Sequence, residues 1–250
     1  MPKTRVDQLL VDQGHAASKT EAQRLVLAGL VYHNTKQIDK PGQQIVDDAE
    51  LTIKGREHPW VSRGGLKLQK ALEHFQIDVT GAVAIDVGAS TGGFTDVLLQ
   101  HGAAKIYAVD VGHGQLAWKL QQEPRVVVLD KTNARTLTRD KIPEPADLIV
   151  CDASFISLKT VLPASFALAK PVARLVALIK PQFEVGRELL SQKPNSGGVV
   201  RDPALHQQVC DDIAAWLAQS GWRVEGIADS PITGPAGNKE FLVYAIRSNM

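Results

Sequence analysis

Cysteine is nearly absent: only Cys151 and Cys210 occur in 250 residues, too few for a disulfide framework or a thiolate zinc site. One lies in an apolar run and the other in a helical pattern, which suits a reducing compartment. Nowhere does an uninterrupted apolar run reach the roughly 18 residues of a membrane span, and residues 1 to 25 lack the apolar core and cleavage signature of a secretory leader. A cytoplasmic protein without a membrane partner is expected. An excess of charge is lacking too: 28 basic and 27 acidic residues leave a formal charge of +1, so affinity for a polyanion must come from local clustering. The seven histidines have no ligand spacing, and no metal is expected. What the chain does have is apolar substance, 44% of its residues, enough for one large domain or a large one with a small one.

The first residues read as a compact unit. Val6, Leu9, Leu10 and Val11 share the apolar face of a helix that stops at Gly14. Ser18 and Glu21 stand at capping-box spacing, where each side chain can satisfy a backbone donor of the other residue, and the helix they open closes near Gly29. Short β-like pieces follow at 31–33 and 50–53, around a turn with Pro41 and Gly42. Gly55, Pro59 and Trp60 suit a short stiff connection with one aromatic anchor. The expected organisation is a small α+β domain over 1–58, a linker over 59–64 and a large domain over 65–250.

In the large domain a helix from about Gly65 to Phe75 precedes apolar strand candidates at 82–87, 105–109, 125–129, 148–151, 174–179, 222–228 and 241–246, most separated by amphipathic helices. That alternation predicts an α/β fold, a largely parallel Rossmann-like sheet covered on both faces. The last two candidates have no helix between them, so the final strand should run antiparallel. The one long irregular stretch is 186–201.

The chemistry concentrates at the strand ends. From Asp86 the chain passes through Val87, Gly88, Ala89, Ser90, Thr91, Gly92, Gly93 and Phe94 into a helix, a turn whose glycines let a nucleotide-type cofactor approach the backbone. The spacing is not that of a dinucleotide fingerprint, which favours another adenosine-bearing cofactor. Asp110 ends the next strand, where a carboxylate can accept from a ribose diol, and Asn133 follows the third, within reach of an adenine edge. Each has a plainer alternative: a tight strand-to-helix connection, a helix N-cap and a loop-stabilising Asx residue. Asp152 ends the fourth strand and Lys180 the fifth, although a lysine there can also simply reach for solvent.

Taken in order, Arg5 to Leu10, Ser18 to Ala22, Ser62 to Lys67, Asp86 to Thr95, Cys151 to Phe155 and Ile179 to Glu184 resemble the TlyA group of rRNA 2′-O-methyltransferases. That group, historically labelled hemolysins, joins an S4 RNA-binding domain to an FtsJ-like catalytic domain. The resemblance covers nearly the whole chain. It implies a class I methyltransferase sheet with an antiparallel strand at one edge and S-adenosylmethionine along the glycine turn with its ribose at Asp110. Its implied substrate is a cytidine ribose in ribosomal RNA, free or in a ribosomal subunit. The lysine, aspartate, lysine and glutamate of the FtsJ-like pattern fall on Lys67, Asp152, Lys180 and Glu240. Lytic activity is not expected, because neither a spanning segment nor a strongly basic amphipathic helix is present.

A ribose hydroxyl needs a base before it attacks, and a lysine serves near neutrality only where burial or like charge lowers its pKa from about 10.4. Lys67 beside Lys180 would supply that repulsion. Lys180 is then the expected base, Asp152 and Glu240 orient the lysines, and Lys67 helps hold the ribose oxygen. For RNA, Lys3, Arg5, Ser18, Lys19 and Arg24 are the candidates in the small domain, where basic and acidic residues balance. Arg63 and Lys70 share a helical spacing with Lys67, and Lys54 and Arg56 sit just upstream. Two rival functions stay open: methylation of a base amino group, and an RNA-binding or ribosome-assembly protein whose cofactor domain is not catalytic.

Overall fold

The computed structural model describes residues 2–16, 18–53, 58–186, 198–234 and 236–248. The chain divides into two compact units, Met1–Pro59 and Trp60–Met250. Lys54, Arg56 and most of the 186–201 stretch lie outside the described residues.

In the first unit, α1 (Val6–Asp12) buries Val6, Leu9 and Leu10, and the chain leaves it through Gly14 at φ +73°. Ser18 caps α2 (Lys19–Leu27) by accepting from the Glu21 amide at 3.2 Å, which orients Ala22 and Val26 inward. Strand β1 (Lys3–Arg5) pairs antiparallel with β4 (Gln44–Val46), while β2 (Val31–His33) lies between β3 (Lys36–Gln37) and β5 (Leu51–Ile53). A single cluster of apolar residues, including Val26, Val31, Ile38 and Leu51, fills the unit.

The second unit is built on a seven-stranded sheet. Its strands are β6 (Val83–Val87), β7 (Lys105–Val109), β8 (Val126–Leu129), β9 (Ala146–Cys151), β10 (Ala169–Ile179), β11 (Arg223–Asp229) and β12 (Phe241–Arg247). The order is β11-β12-β10-β9-β6-β7-β8, and β12 alone runs against its neighbours. The antiparallel strand is therefore one place in from the edge, a correction to the edge position implied by the resemblance. Composition explains the order: β12 buries Phe241, Leu242, Val243 and Ala245, whereas β11 carries Arg223, Glu225 and Asp229 and tolerates solvent on one side.

Alternate residues of the strands feed two cores. Ile85, Val87 and Ile149 face one with Ile213 and Leu217 of α9 (Pro203–Gln219), and Ala84, Ile106 and Leu148 face the other with Leu68 and Leu72 of α3 (Gly65–His74). Trp60 belongs to the second core at 6% exposure, and a methyl on Gly65 would come within 2.4 Å of its ring. After β8 the chain returns to β9, on the other side of β6, so a crevice opens between the carboxyl ends of β6 and β9. Cys151 and Cys210 are buried free thiols whose ionisation burial pushes up to about 12 and about 11. Among the described residues no helix is long and apolar enough to cross a membrane.

Candidate active site

The glycine turn after β6 starts α4 (Gly93–Gln100) at the crevice. Gly88 stands at φ +83°, and a Cβ there would lie 3.0 Å from the Ala153 backbone, so only glycine lets the two neighbouring loops touch. Ser90, also left-handed at φ 48°, donates its amide to Asp110 Oδ2 at 2.8 Å, and the Gly112 amide donates to Asp110 Oδ1 at 2.7 Å. Asp110 thereby fixes the turn against the end of β7. Beneath the turn Asp86 is fully buried; Thr95 donates to its Oδ2 at 2.7 Å, and Oδ1 has no hydrogen-bond partner among the described residues. Burial pushes this carboxyl up to about 7, against the pull of the Thr95 hydroxyl.

Four charged side chains form a continuous chain at the floor of the crevice. Lys67 of α3 donates to Glu240 Oε2 at 2.7 Å and to both oxygens of Asp152 at 3.2 and 3.3 Å. Lys180, at the end of β10, lies 2.7 Å from Asp152 Oδ1 and donates to the Asp152 carbonyl at 3.1 Å and to Ser154 Oγ at 2.8 Å. Asp152 accepts from both lysines, so the two cations do not face each other unscreened as the expected repulsion requires. The groups are shielded, with Lys67 7%, Lys180 5% and Glu240 2% exposed. Two cations and two anions balance, the condition for keeping such a cluster out of water.

A cavity of about 640 Å³ lies over this chain and the glycine turn, a size that suits one cofactor with part of a substrate. Of the expected cofactor residues, Gly88, Ser90, Thr91, Gly93, Phe94 and Asp152 line it. Asp86, Gly92, Asp110 and Asn133 do not. Asp86 supports the turn from below, Gly92 faces Leu116 and Leu120, and Asn133 uses its side-chain oxygen to accept from the Arg135 amide at 3.0 Å. Glycine is required on the cavity wall: at Gly88 and Gly93 any Cβ would meet the Asp152–Ala153 backbone or Ser62 Oγ.

Several lining residues carried no functional expectation. Ser154 touches Lys180, and Asn238, 3% exposed, accepts from the Val200 amide at 3.0 Å and donates to the Gly198 carbonyl at 3.1 Å. Phe155, at φ 65° and 90% exposed, sets its ring 5.1 Å from that of Phe183 at the mouth. Glu184, at the end of α8 (Pro181–Glu184), ties the loop after β9 to the loop after β10. Ser157 Oγ donates to it at 2.5 Å and the Leu158 amide at 2.8 Å, at the start of α6 (Leu158–Val161). Burial raises its carboxyl above the usual range, partly offset by these two donors.

Glu184→Ala frees both loops while touching none of the four charged groups. Its maximal rate of turnover should fall about tenfold, since small misplacements of reacting groups are expensive, with cofactor affinity held. Glu184→Gln keeps an acceptor for the Leu158 amide and should recover most of the rate. Single-turnover measurements on both variants test this; equal losses in the two would refute a positioning role.

The RNA candidates fare differently. In the first unit Lys3, Ser18, Lys19 and Arg24 are exposed, but Arg5 is held in two bonds to the buried Asp7, at 2.9 and 2.6 Å, which commits most of its guanidinium. In the second unit Arg63 lines the cavity and is exposed, as is Lys70 on α3, whereas Lys67 turns inward to its carboxylates. The three do not form one basic face.

Comparison with known proteins agrees with this architecture. The FtsJ-like methyltransferase family model matches residues 60–247, and the S4 domain model matches residues 4–51. Over 97% of the chain and 89% of the relative, the sequence is 47% identical to the 16S/23S rRNA (cytidine-2′-O)-methyltransferase TlyA of Mycobacterium tuberculosis. A solved hemolysin-named protein of Streptococcus thermophilus superposes with TM-score 0.76 at 44% identity, covering 100% of this chain and 90% of the other. A SAM-dependent methyltransferase of Aquifex aeolicus shares the fold at TM-score 0.50 and 23% identity, over 75% of this chain and 94% of that one.

Proposed function

Because the chain belongs to the FtsJ-like methyltransferase family and carries an S4 domain, we propose that it methylates the 2′-hydroxyl of a cytidine ribose in ribosomal RNA, in the cytoplasm. The observation that carries this reading is the buried chain Lys180, Asp152, Lys67 and Glu240 beside a glycine cradle. A base amino-methyltransferase has no use for two buried lysines at its reacting centre.

S-adenosylmethionine, when bound, supplies an electrophilic methyl group on a sulfonium that departs as a thioether. The backbone of the Gly88–Gly93 turn would hold it, with Asp110 bracing that turn through the Ser90 amide. Lys180 Nζ would accept the proton that the ribose 2′-hydroxyl gives up as that oxygen is methylated. Asp152 and Ser154 fix Lys180, at 2.7 and 2.8 Å. Lys67, held by Glu240 at 2.7 Å, donates to the ribose oxygen and places it. Base assistance contributes about 10²- to 10⁴-fold, and positioning supplies much of the rest.

The test is transfer of labelled methyl from S-adenosylmethionine to separated ribosomal subunits and purified rRNAs, with the product mapped by mass spectrometry. Label on a cytidine ribose is the expected outcome. Label on a base would replace the reading with an amino-methyltransferase, and RNA binding without any transfer would leave a binding protein.

A further inference from the structure

We infer that the segment following β8 is a docking surface for the RNA backbone, in which Lys131, Arg135 and Lys141, flanked by Arg139 and by Lys159 of α6, contact phosphates next to the target nucleotide. The inference rests on the RNA substrate proposed above and adds where that substrate is gripped.

All five side chains are exposed, and none forms a salt bridge among the described residues, although Lys159 lies near enough to Glu184 to draw its carboxyl down. In the same unit Lys105, Lys119, Arg125 and Lys170 each sit on a carboxylate, which these five do not. Five such cations are gathered here, while Arg63 at the cavity and Lys70 on α3 are exposed without a salt bridge among the described residues. Lys141 Nζ donates to Thr132 Oγ1 at 3.2 Å and Arg135 Nε to Asn133 Oδ1 at 3.3 Å, which brings both heads to the short run that Lys131 begins. Arg139 reaches the Ala167 carbonyl at 3.4 Å, on the helix Pro163–Leu168 that packs against the turn Ala134–Thr136. The same turn packs against α6.

Two connections tie this patch to the active site. The Lys131 amide donates to the Gly112 carbonyl at 2.8 Å and the Thr132 amide to the Asp110 carbonyl at 2.9 Å, so the patch adjoins the loop expected to hold the cofactor ribose. On its other side α6 grows out of the loop that bears Ser154 and Phe155 at the cavity mouth. A dinucleotide would bring its own phosphates to such a rim. S-adenosylmethionine has none, so these cations need another polyanion, and the substrate supplies one phosphate per nucleotide. Hydrogen-bonded but unpaired guanidinium and ammonium groups are partly oriented before RNA arrives and lose no internal salt bridge on binding it.

The triple variant Lys131→Ala, Arg135→Ala, Lys141→Ala tests the surface, with purified rRNA as the probe. Expected are an RNA affinity lowered about tenfold or more near 0.15 M salt, and a slope of log affinity against log salt reduced by about 2, from 0.7 to 0.9 per phosphate contact. KM for RNA should rise while kcat and cofactor affinity stay unchanged. A Lys131→Arg, Arg135→Lys, Lys141→Arg variant, which keeps the charge, should retain the salt slope. An unchanged slope in the alanine variant, or a loss confined to cofactor binding, overturns the inference. Wild-type chain that binds rRNA with the full slope but transfers no methyl would sink the catalytic reading and leave the surface standing.

Discussion

Lys180→Arg should abolish all but about 10⁻² to 10⁻⁴ of the methyl-transfer rate while cofactor and RNA binding persist. Arginine keeps the positive charge that Asp152 accepts, so the substitution asks whether Lys180 is needed as a cation or as a proton acceptor. A guanidinium cannot give up a proton in a protein, and it therefore cannot take one back from a hydroxyl. Lys180→Met removes the charge at similar length and should lose as much. In that variant Asp152 keeps Lys67 at 3.2 Å, so it is not left as an uncompensated buried charge. The readout is single-turnover transfer together with separately measured affinities for cofactor and RNA. A fall in kcat alone marks an interaction made at the transition state, and a rise in KM alone would make Lys180 a binding residue. Substantial turnover by the methionine variant would remove Lys180 as the base.

The sheet was legible because β6, β7, β9 and the 174–179 end of β10 are short, mostly apolar runs followed by residues that cannot be buried idly, such as Asp110, Asp152 and Lys180, whereas the first five residues of β10, with Lys170 and Pro171, gave no such signal. Strands of two or three residues, such as Lys36–Gln37 and Gln44–Val46, are too short to show a period; they form because neighbouring backbone supplies partners. The place of β12 inside the sheet depended on comparing its apolar content with that of β11, not on any motif. At the site, spacing misled where partners are distant. Arg63, Lys67 and Lys70 look like one solvated helix face, yet Lys67 finds carboxylates 85 and 173 positions along the chain and turns inward. Arg5 erred in the opposite direction, because its partner Asp7 is two residues away and the two bonds between them were not read. Ser154 and Glu184 sat inside quoted motifs without a role, since what each does is set by a loop on a neighbouring strand. The cations after β8 form a visible cluster in the sequence, but only the structure shows that they form no salt bridge among the described residues.

Asp86→Asn should make the protein more stable relative to wild type as the pH rises, by about 3 kcal/mol between pH 5 and pH 8. The wild-type carboxyl is fully buried and pushed up to about 7 from an ordinary 3.8. Between those two values the folded state holds a proton that the unfolded state has released, so stability falls with rising pH by about 1.4 kcal/mol per unit. The favourable contribution is complete below 3.8 and gone above 7, where the folded protein carries a buried charge with no hydrogen-bond partner for Oδ1 among the described residues. Asparagine does not titrate, and its side-chain oxygen can still accept from the Thr95 hydroxyl. Other perturbed groups, Glu184 among them, are present in both proteins and cancel in the difference. Any packing cost of the amide is independent of pH and cancels in the slope. Denaturant unfolding of both proteins at several pH values measures the slope directly. Parallel profiles would mean that Asp86 ionises at its ordinary value and that the crevice beneath the glycine turn admits enough water to solvate it. A wild-type profile that falls with rising pH relative to the variant would establish a proton-bearing carboxyl directly under the glycine turn.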